Sequence, residues 1–425
     1  MSAQKLPYDC LEHITHYASN SQPTLAALSI VSRDLNHLVV HYLYRRVCLK
    51  DGDQRCGSSL SSVLNNDTLA RRVESLDLDS SLSASVLGPL ASALSAMRNL
   101  RHIYVRDLNA VVRHDVTVLS VIQTLTNLRS IRILASSSSA SRRLLDRLPA
   151  MQSITVDLAG NSARRIPELE QLLLRSRETL TSLAISGDYD LSGFLNQESV
   201  DDASHRYVWK HVKQLSLHAP PRSPALIRAF PNATWLSIDP GLTDFDFDDK
   251  AIVTQRLGLS WWREMRDDDF RYRLPRVLRR CIHLRHLDIT LHQEVLVPAV
   301  RPPAIRWRHN IHNSPQLNSV FMALNDVKWD GKTLQDLRYV SVSAVKRKPD
   351  DYAFSVELNG SDVEVGSLFA AFPRLRAVVL ALMETPSLWR RRARTSAGAS
   401  DAGCSRELLT RGVDVAQFLR DMDDA

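Results

Sequence analysis

A six-residue phrase, apolar-x-x-apolar-x-apolar, recurs along residues 70–382 and constrains this chain more than any other feature. It reads VESLDL from Val73, LRHIYV from Leu100, LRSIRI from Leu128, MQSITV from Met151 and LTSLAI from Leu180. It continues as VKQLSL from Val212, ATWLSI from Ala233, LRHLDI from Leu284, LNSVFM from Leu317, LRYVSV from Leu337 and LRAVVL from Leu375. The first five starts lie 27, 28, 23 and 29 residues apart, within the 20–29 range of a strand-plus-helix solenoid repeat. Later intervals run from 20 to 51 residues, so the second half carries insertions. TQRLGLS, from Thr254, reads as a degraded copy inside the longest gap.

The closing x-apolar-x-apolar is strand alternation, with apolar side chains on one face and the intervening residues on the other. Helical stripes separate the phrases: Leu87, Leu90, Leu94 and Met97; Leu169, Leu172 and Leu173; Leu274, Val277, Leu278 and Cys281. Each strand–helix unit has one apolar face that only its neighbours can cover. The expected fold is α/β, a solenoid with a parallel sheet on its concave side. A doubly wound α/β domain is the competing reading. It also alternates strands and helices, but with less regular strand spacing and usually a Gly-rich phosphate loop; this chain has 14 glycines in 425 residues.

Ahead of the repeats, KLPYDCLEHITHY opens a different pattern. Pro7 suits a first helical turn, Asp9 and Glu12 complement the helix dipole, and Cys10, Leu11, Ile14, Tyr17 and Ala18 follow at helical spacing. A second helix is expected from Pro23 and Thr24, with Leu25, Leu28 and Val31. A third is expected from Ser32, with Leu35, Leu38, Val39 and Tyr42, and then a short strand at Val47 and Leu49. Three short helices make a core that is marginal alone and usually needs a partner surface. In order and spacing, Leu6, Pro7, Leu11, Ile14, Leu25, Leu28, Val31, Ser32, Arg33 and the closing Leu43-Tyr44-Arg45 resemble an F-box, and the LYRRV ending is similar to that of many fungal F-box proteins. The alternative is an ordinary helical cap on the repeats. AFPNATWLSI and AFPRLRAVVL resemble phrases of F-box proteins with leucine-rich repeats. The Asn or Cys usual after such strands is mostly absent, which predicts an incomplete side-chain ladder there and an irregular horseshoe.

The organisation expected is an F-box at 1–50, a connecting segment at 51–69, the solenoid at 70–382, and a linker with a C-terminal tail at 383–425. In that tail SRELLTRGVDVAQFLRDMDD reads either as a short amphipathic helix capping the last repeat or as a free end. An apolar content of 44% allows a sizeable core, and no apolar run reaches the 18–20 residues of a membrane span. No signal-peptide pattern is visible at the N-terminus. Five scattered cysteines form neither zinc spacing nor a disulfide framework, so cytosol or nucleus is expected. Net charge is +7, but the basic residues are interleaved with 47 acidic ones. The densest run, RRRAR from Arg390, reads as a solvated face rather than a nucleic-acid patch.

Catalytic motifs are missing: there is no G-x-S-x-G, P-loop, H-E-x-x-H or kinase set. His13 and His16 share a helical face but lack neighbouring ligands, and FDFDDK from Phe245 lacks the Gly and terminal Glu of a calcium loop. No cofactor or metal is expected. Trp261-Trp262 reads either as core or as an exposed anchor. The F-box resemblance implies a non-catalytic substrate receptor of a ubiquitin ligase. Leu6, Pro7, Leu11, Ile14, Leu25, Leu28 and Val31 would bind a Skp-type adaptor, and through it a cullin. A scaffold acting without a cullin is the alternative, and a nucleic-acid-associated repeat protein is a third reading. Substrate would meet the strand residues that point away from the core. Tyr104, Arg106, Arg132, Trp235 and His286 are the expected recognition set, because aromatic and Arg side chains most often dominate binding energy.

Overall fold

The apolar positions of the phrases line up strand on strand. In the computed structural model, Val47, Leu76, Ile103, Ile131, Ile154 and Leu183 are successive partners across six parallel strands. Leu49, Leu78, Val105, Ile133, Val156 and Ile185 form a second row. All twelve side chains are buried. At about 1.5–3 kcal/mol for each fully buried aliphatic side chain, these two ladders are a large favourable term in the fold. The strands are β1 (Arg46–Leu49), β2 (Ser75–Leu78), β3 (His102–Val105), β4 (Ser130–Ile133), β5 (Ser153–Asp157) and β6 (Ser182–Ser186).

The structure describes residues 6–19, 21–49, 55–79, 82–134, 139–158, 166–186, 207–218, 229–238, 254–261, most of 274–292, 324, 334–345, most of 368–381, 387–391 and 404–408. The chain divides into two units, Met1–Tyr189 and Asp190–Ala425.

The first unit begins with three helices, α1 (Tyr8–Ala18), α2 (Gln22–Ser29) and α3 (Arg33–Leu43). The backbone N–H of Leu35 donates to the Ser32 hydroxyl at 3.1 Å, the N-cap expected there. Ser21, two residues ahead of the expected Pro23–Thr24 start, caps α2. The buried face of α1 differs from the expectation: it runs through Leu11, Thr15 and Ala18, and leaves Cys10, Ile14 and Tyr17 exposed. Thr15 can sit at its centre because its hydroxyl donates to the Leu11 carbonyl at 2.8 Å, which satisfies the buried oxygen inside the helix. The segment expected to connect, 51–69, holds α4 (Arg55–Leu64) and the start of α5 (Asp67–Ala70), and α4 packs on β1.

The helices between later strands are α6 (Ala84–Leu87), α7 (Leu90–Ala96), α8 (Leu108–His114), α9 (Thr117–Thr124), α10 (Ser139–Arg147) and α11 (Pro167–Arg175). Gly88 and Pro89 split α6 from α7. A polar ladder precedes the strands instead of following them. Asn99 donates to the Arg71 carbonyl at 2.7 Å, and Asn127 to that of Arg98 at 2.9 Å. Thr179 donates to the Met151 carbonyl at 2.8 Å. Each bond satisfies a turn carbonyl of the preceding repeat, which no intrahelical partner reaches.

In the second unit, β7 (Gln214–His218), β8 (Trp235–Ile238), β9 (Arg256–Trp261), β10 (His286–His292), β11 (Tyr339–Val345) and β12 (Ala377–Ala381) are parallel neighbours in that order. The TQRLGLS copy is therefore a full rung. The LNSVFM phrase from Leu317 lies outside the described residues, and β10 pairs directly with β11. Two reversals follow: β13 (Ser387–Arg391) runs antiparallel to β12, and β14 (Cys404–Leu408) antiparallel to β13. The tail expectation is corrected here. Residues 404–408 form a docked strand, not a helix, and the linker expected from 383 contains β13, which holds Arg390, exposed as the solvated reading of that run expects, and Arg391. In β13 Leu388 is buried, and β13 supplies the hydrogen-bond partners that β12 would otherwise lack at that edge, while β14 covers β13 in turn. Among the described residues no helix is long and apolar enough to cross a membrane.

Candidate functional site

The three-helix segment buries only part of its apolar surface. Leu25, Leu35, Leu38 and Val39 form its core. Leu6, Tyr8, Ile14, Tyr17, Ile30 and Val31 are exposed, Tyr17 to 88%, Ile30 to 85% and Val31 to 67%. Pro7 is exposed as well, and Leu11 and Leu28 are half-buried. Of the seven residues expected to meet an adaptor, Leu25 is the one to correct: at 1% exposure it holds α2 onto its neighbours and has no surface to offer. Tyr8, Tyr17 and Ile30 belong to the exposed set but were missed. Cys10, Ile14 and Tyr17, at i, i+4 and i+7, form a second stripe on α1 that a one-face reading merges with the inward one.

The sheet brings the first three expected recognition residues together. Asp77, Tyr104, Arg132 and Thr155 are successive partners on the face away from the helices. The Arg132 guanidinium carbon lies 4.7 Å from the Tyr104 ring centroid, and that of Arg106 lies 5.9 Å from it. Arg106 also pairs with Asp79 at 3.2 Å. Arg106 and Arg132 are exposed and Tyr104 half-buried, so this cluster is open to solvent.

Trp235 and His286 belong to the second unit, and their setting is different. Trp235, Arg256, His286, Tyr339 and Ala377 are successive partners in one row. Arg256 stacks on Trp235 at 4.7 Å and its Nε donates to Asp288 at 2.7 Å. Gly258 stands opposite both Ser237 and Asp288 and places no side chain between them; a Cβ there would come within 3.2 Å of the Ser237 hydroxyl. His286 stacks on Tyr339, with ring centroids 4.8 Å apart. His286, Tyr339, Ser341, Ala377 and Val379 are all buried. His286 is therefore a packing residue and not part of an open recognition surface, which corrects the expectation. The signal was present in AVVLA, apolar at every position, as in a strand covered on both faces. Trp235 is half-buried beneath Arg256.

Among the described residues no three His, Cys, Asp or Glu side chains gather as a metal site. FDFDDK and Trp262 lie outside the described residues. Trp261 ends β9, and its side chain is not described.

Fold and surfaces together define an α/β repeat protein with a parallel sheet, an exposed apolar helical surface, and an open cation–aromatic cluster on the sheet. No protein-family model and no curated protein sequence matches the chain. Among solved structures it is similar to the leucine-rich repeat-containing protein LegL7 from Legionella pneumophila, at 16% identity and a TM-score of 0.37, over 79% of this chain and 89% of that one.

Proposed function

We propose that the chain is the substrate-recognition subunit of a Skp–cullin–F-box ubiquitin ligase. The observation that carries this reading is the exposed apolar surface of the three-helix segment. Leu6, Pro7, Ile14 and Val31 stand in F-box order, Tyr17 and Ile30 add to them, and the segment's own core does not use them. An exposed apolar surface of this kind is what a protein partner covers. The sheet face around Tyr104 would hold the substrate. On this reading the chain performs no bond chemistry. It keeps a lysine-bearing protein near a charged ubiquitin-conjugating enzyme and raises the effective concentration of the two.

The test is titration of the full chain with a purified Skp-type adaptor. Covering one such aliphatic side chain contributes about 1.5–3 kcal/mol. Replacing Leu6 and Pro7 together by Ala therefore weakens binding by about tenfold or more. Circular dichroism confirms that the double variant keeps its helices. Absence of adaptor binding by the folded wild-type chain at micromolar concentration rejects the proposal. Adaptor binding without recruitment of a cullin would make the protein a scaffold instead.

A further inference from the structure

Most of the arginines around the open sheet face of the first unit are matched to carboxylates. Arg46 faces Asp77 at 3.7 Å and Arg106 faces Asp79 at 3.2 Å. Arg45 and Arg101 share Glu74, at 3.0 and 3.9 Å. Arg132 differs. It is exposed, it stacks on Tyr104, and among the described residues it has no ion-pair partner. Arg129 also has none there, but it sits in the turn before β4 and not in the outward row. Beyond Arg132 the outward positions are short: Thr155 is its partner on β5 and Ala184 the next on β6, with Ser153 and Ser182 beside them, all half-buried. Nothing bulky at these positions blocks the approach to the guanidinium from the β5 side.

We propose that Arg132, held on Tyr104, is an anchor for a carboxylate: an Asp or Glu side chain on an extended segment of the protein substrate, laid across β4–β6. This rests on reading the sheet face as the substrate surface. Stacking fixes the guanidinium plane while leaving its in-plane N–H donors available for a bidentate carboxylate. Among the described residues Arg132 supplies the one positive charge beside Tyr104 that no carboxylate matches, since Arg106 is paired with Asp79, and Arg46 with Asp77 on the far side of Tyr104. That balance suits a monoanion better than a doubly charged phosphate, which Arg clusters bind.

The probe is a displayed library of random peptides selected on the immobilised full-length chain. Selected peptides are then remade and measured by fluorescence polarisation. They should carry an Asp or Glu whose replacement by Asn or Gln weakens binding about tenfold, the scale of a charge-assisted hydrogen bond. Arg132→Gln should produce the same loss, and the two changes should not add in a double-mutant cycle. Thr155→Glu places a carboxylate of the chain itself beside Arg132 and should abolish binding, while Thr155→Gln keeps it. Thermal midpoints of the variants exclude unfolding. Equal binding to wild type and Arg132→Gln overturns the inference, and so does a selection that yields no acidic peptide. A phosphoserine version that binds more than tenfold tighter than the Glu version overturns the choice of carboxylate. Adaptor titration separates the two proposals. Intact adaptor binding without Arg132-dependent peptide binding rejects only the anchor. Failure of adaptor binding rejects the ligase reading, and Arg132-dependent acidic-peptide binding would still support the anchor.

Discussion

Cys281 and Cys10 show how far placement controls a side chain's chemistry. Both are free thiols, but Cys10 is exposed on α1 and Cys281 is buried beside Leu278 and Leu284. Burial pushes the Cys281 thiol up to about 12, from an ordinary value of 9.0, because an apolar site disfavours the thiolate. The raised value makes the folded state the better proton binder above pH 9. The Cys281 contribution to stability is therefore complete below about pH 9 and is lost as pH rises from there toward 12. Two outcomes are expected. Iodoacetamide modifies Cys10 in the folded protein and leaves Cys281 untouched until denaturant is added, as peptide mass spectrometry would read. Cys281→Ala, although it lowers stability by opening a small cavity, flattens the loss of stability between pH 9 and 10.5 in denaturant titrations. Early modification of Cys281, or an unchanged alkaline slope, would contradict the burial account.

At the scale of single elements, the repeat is stitched by bonds that ordinary strand patterning does not reveal. Asn127 joins two turns through the Arg98 carbonyl, and it is exposed. A net hydrogen bond contributes about 0.5–1.5 kcal/mol. Asn127→Ala should lower unfolding stability by about 1 kcal/mol, and Asn127→Asp, which cannot donate, should do no better. Equal stability of all three proteins in urea would show that water replaces the bond without cost. The contrast between ladders explains what could be read in the sequence. The apolar rows through Ile131 and Ile133 were legible because burial on one face forces a period of two. The N-cap at Ser32 was legible because one hydroxyl and one spacing define it. The Asn ladder was not, since donors to a neighbouring repeat sit about 28 residues from their acceptors and leave no short-range period. The burial of His286 could not be read from its own phrase, because it depends on Tyr339 in the next strand, 53 residues away, and its one sequence signal lay in AVVLA of β12. Strand β14 was misread for a similar reason: Ser405–Leu408 were read together with the helix-spaced apolar residues that follow them, whereas their pairing partner is β13, a separate stretch of chain. The shared face of Tyr104, Arg106 and Arg132 was legible because the alternation fixes it, and neighbouring strands bring them together.

Across the whole first unit, the exposed apolar surface of the three helices and the sheet face are joined without a linker. Helix α3 ends at Leu43, Tyr44 caps it, and β1 starts at Arg46. The carbonyl of Arg45 accepts from the backbone N–H groups of Glu74, at 2.9 Å, and Ser75, at 3.0 Å, so the junction itself is part of the sheet. Helices α3 and α4 both pack on β1. The three-helix segment is thus one end of the repeat stack, and its orientation relative to Tyr104 and Arg132 is fixed by hydrogen bonds. If the chain is the proposed ligase receptor, that rigidity would set where a bound lysine lies relative to the conjugating enzyme. Inserting six Gly/Ser residues between Tyr44 and Arg45 would replace the fixed junction with a coil of about 13 Å root-mean-square span. Adaptor binding and acidic-peptide binding should each keep their wild-type affinity, because neither surface is altered. Ubiquitin transfer to a lysine-bearing version of a selected peptide, in the assembled ligase, should fall several-fold, because two tethered sites retain concentration but lose orientation. An unchanged transfer rate, with both affinities intact, would mean that the junction's geometry is irrelevant and that tethering alone carries the activity.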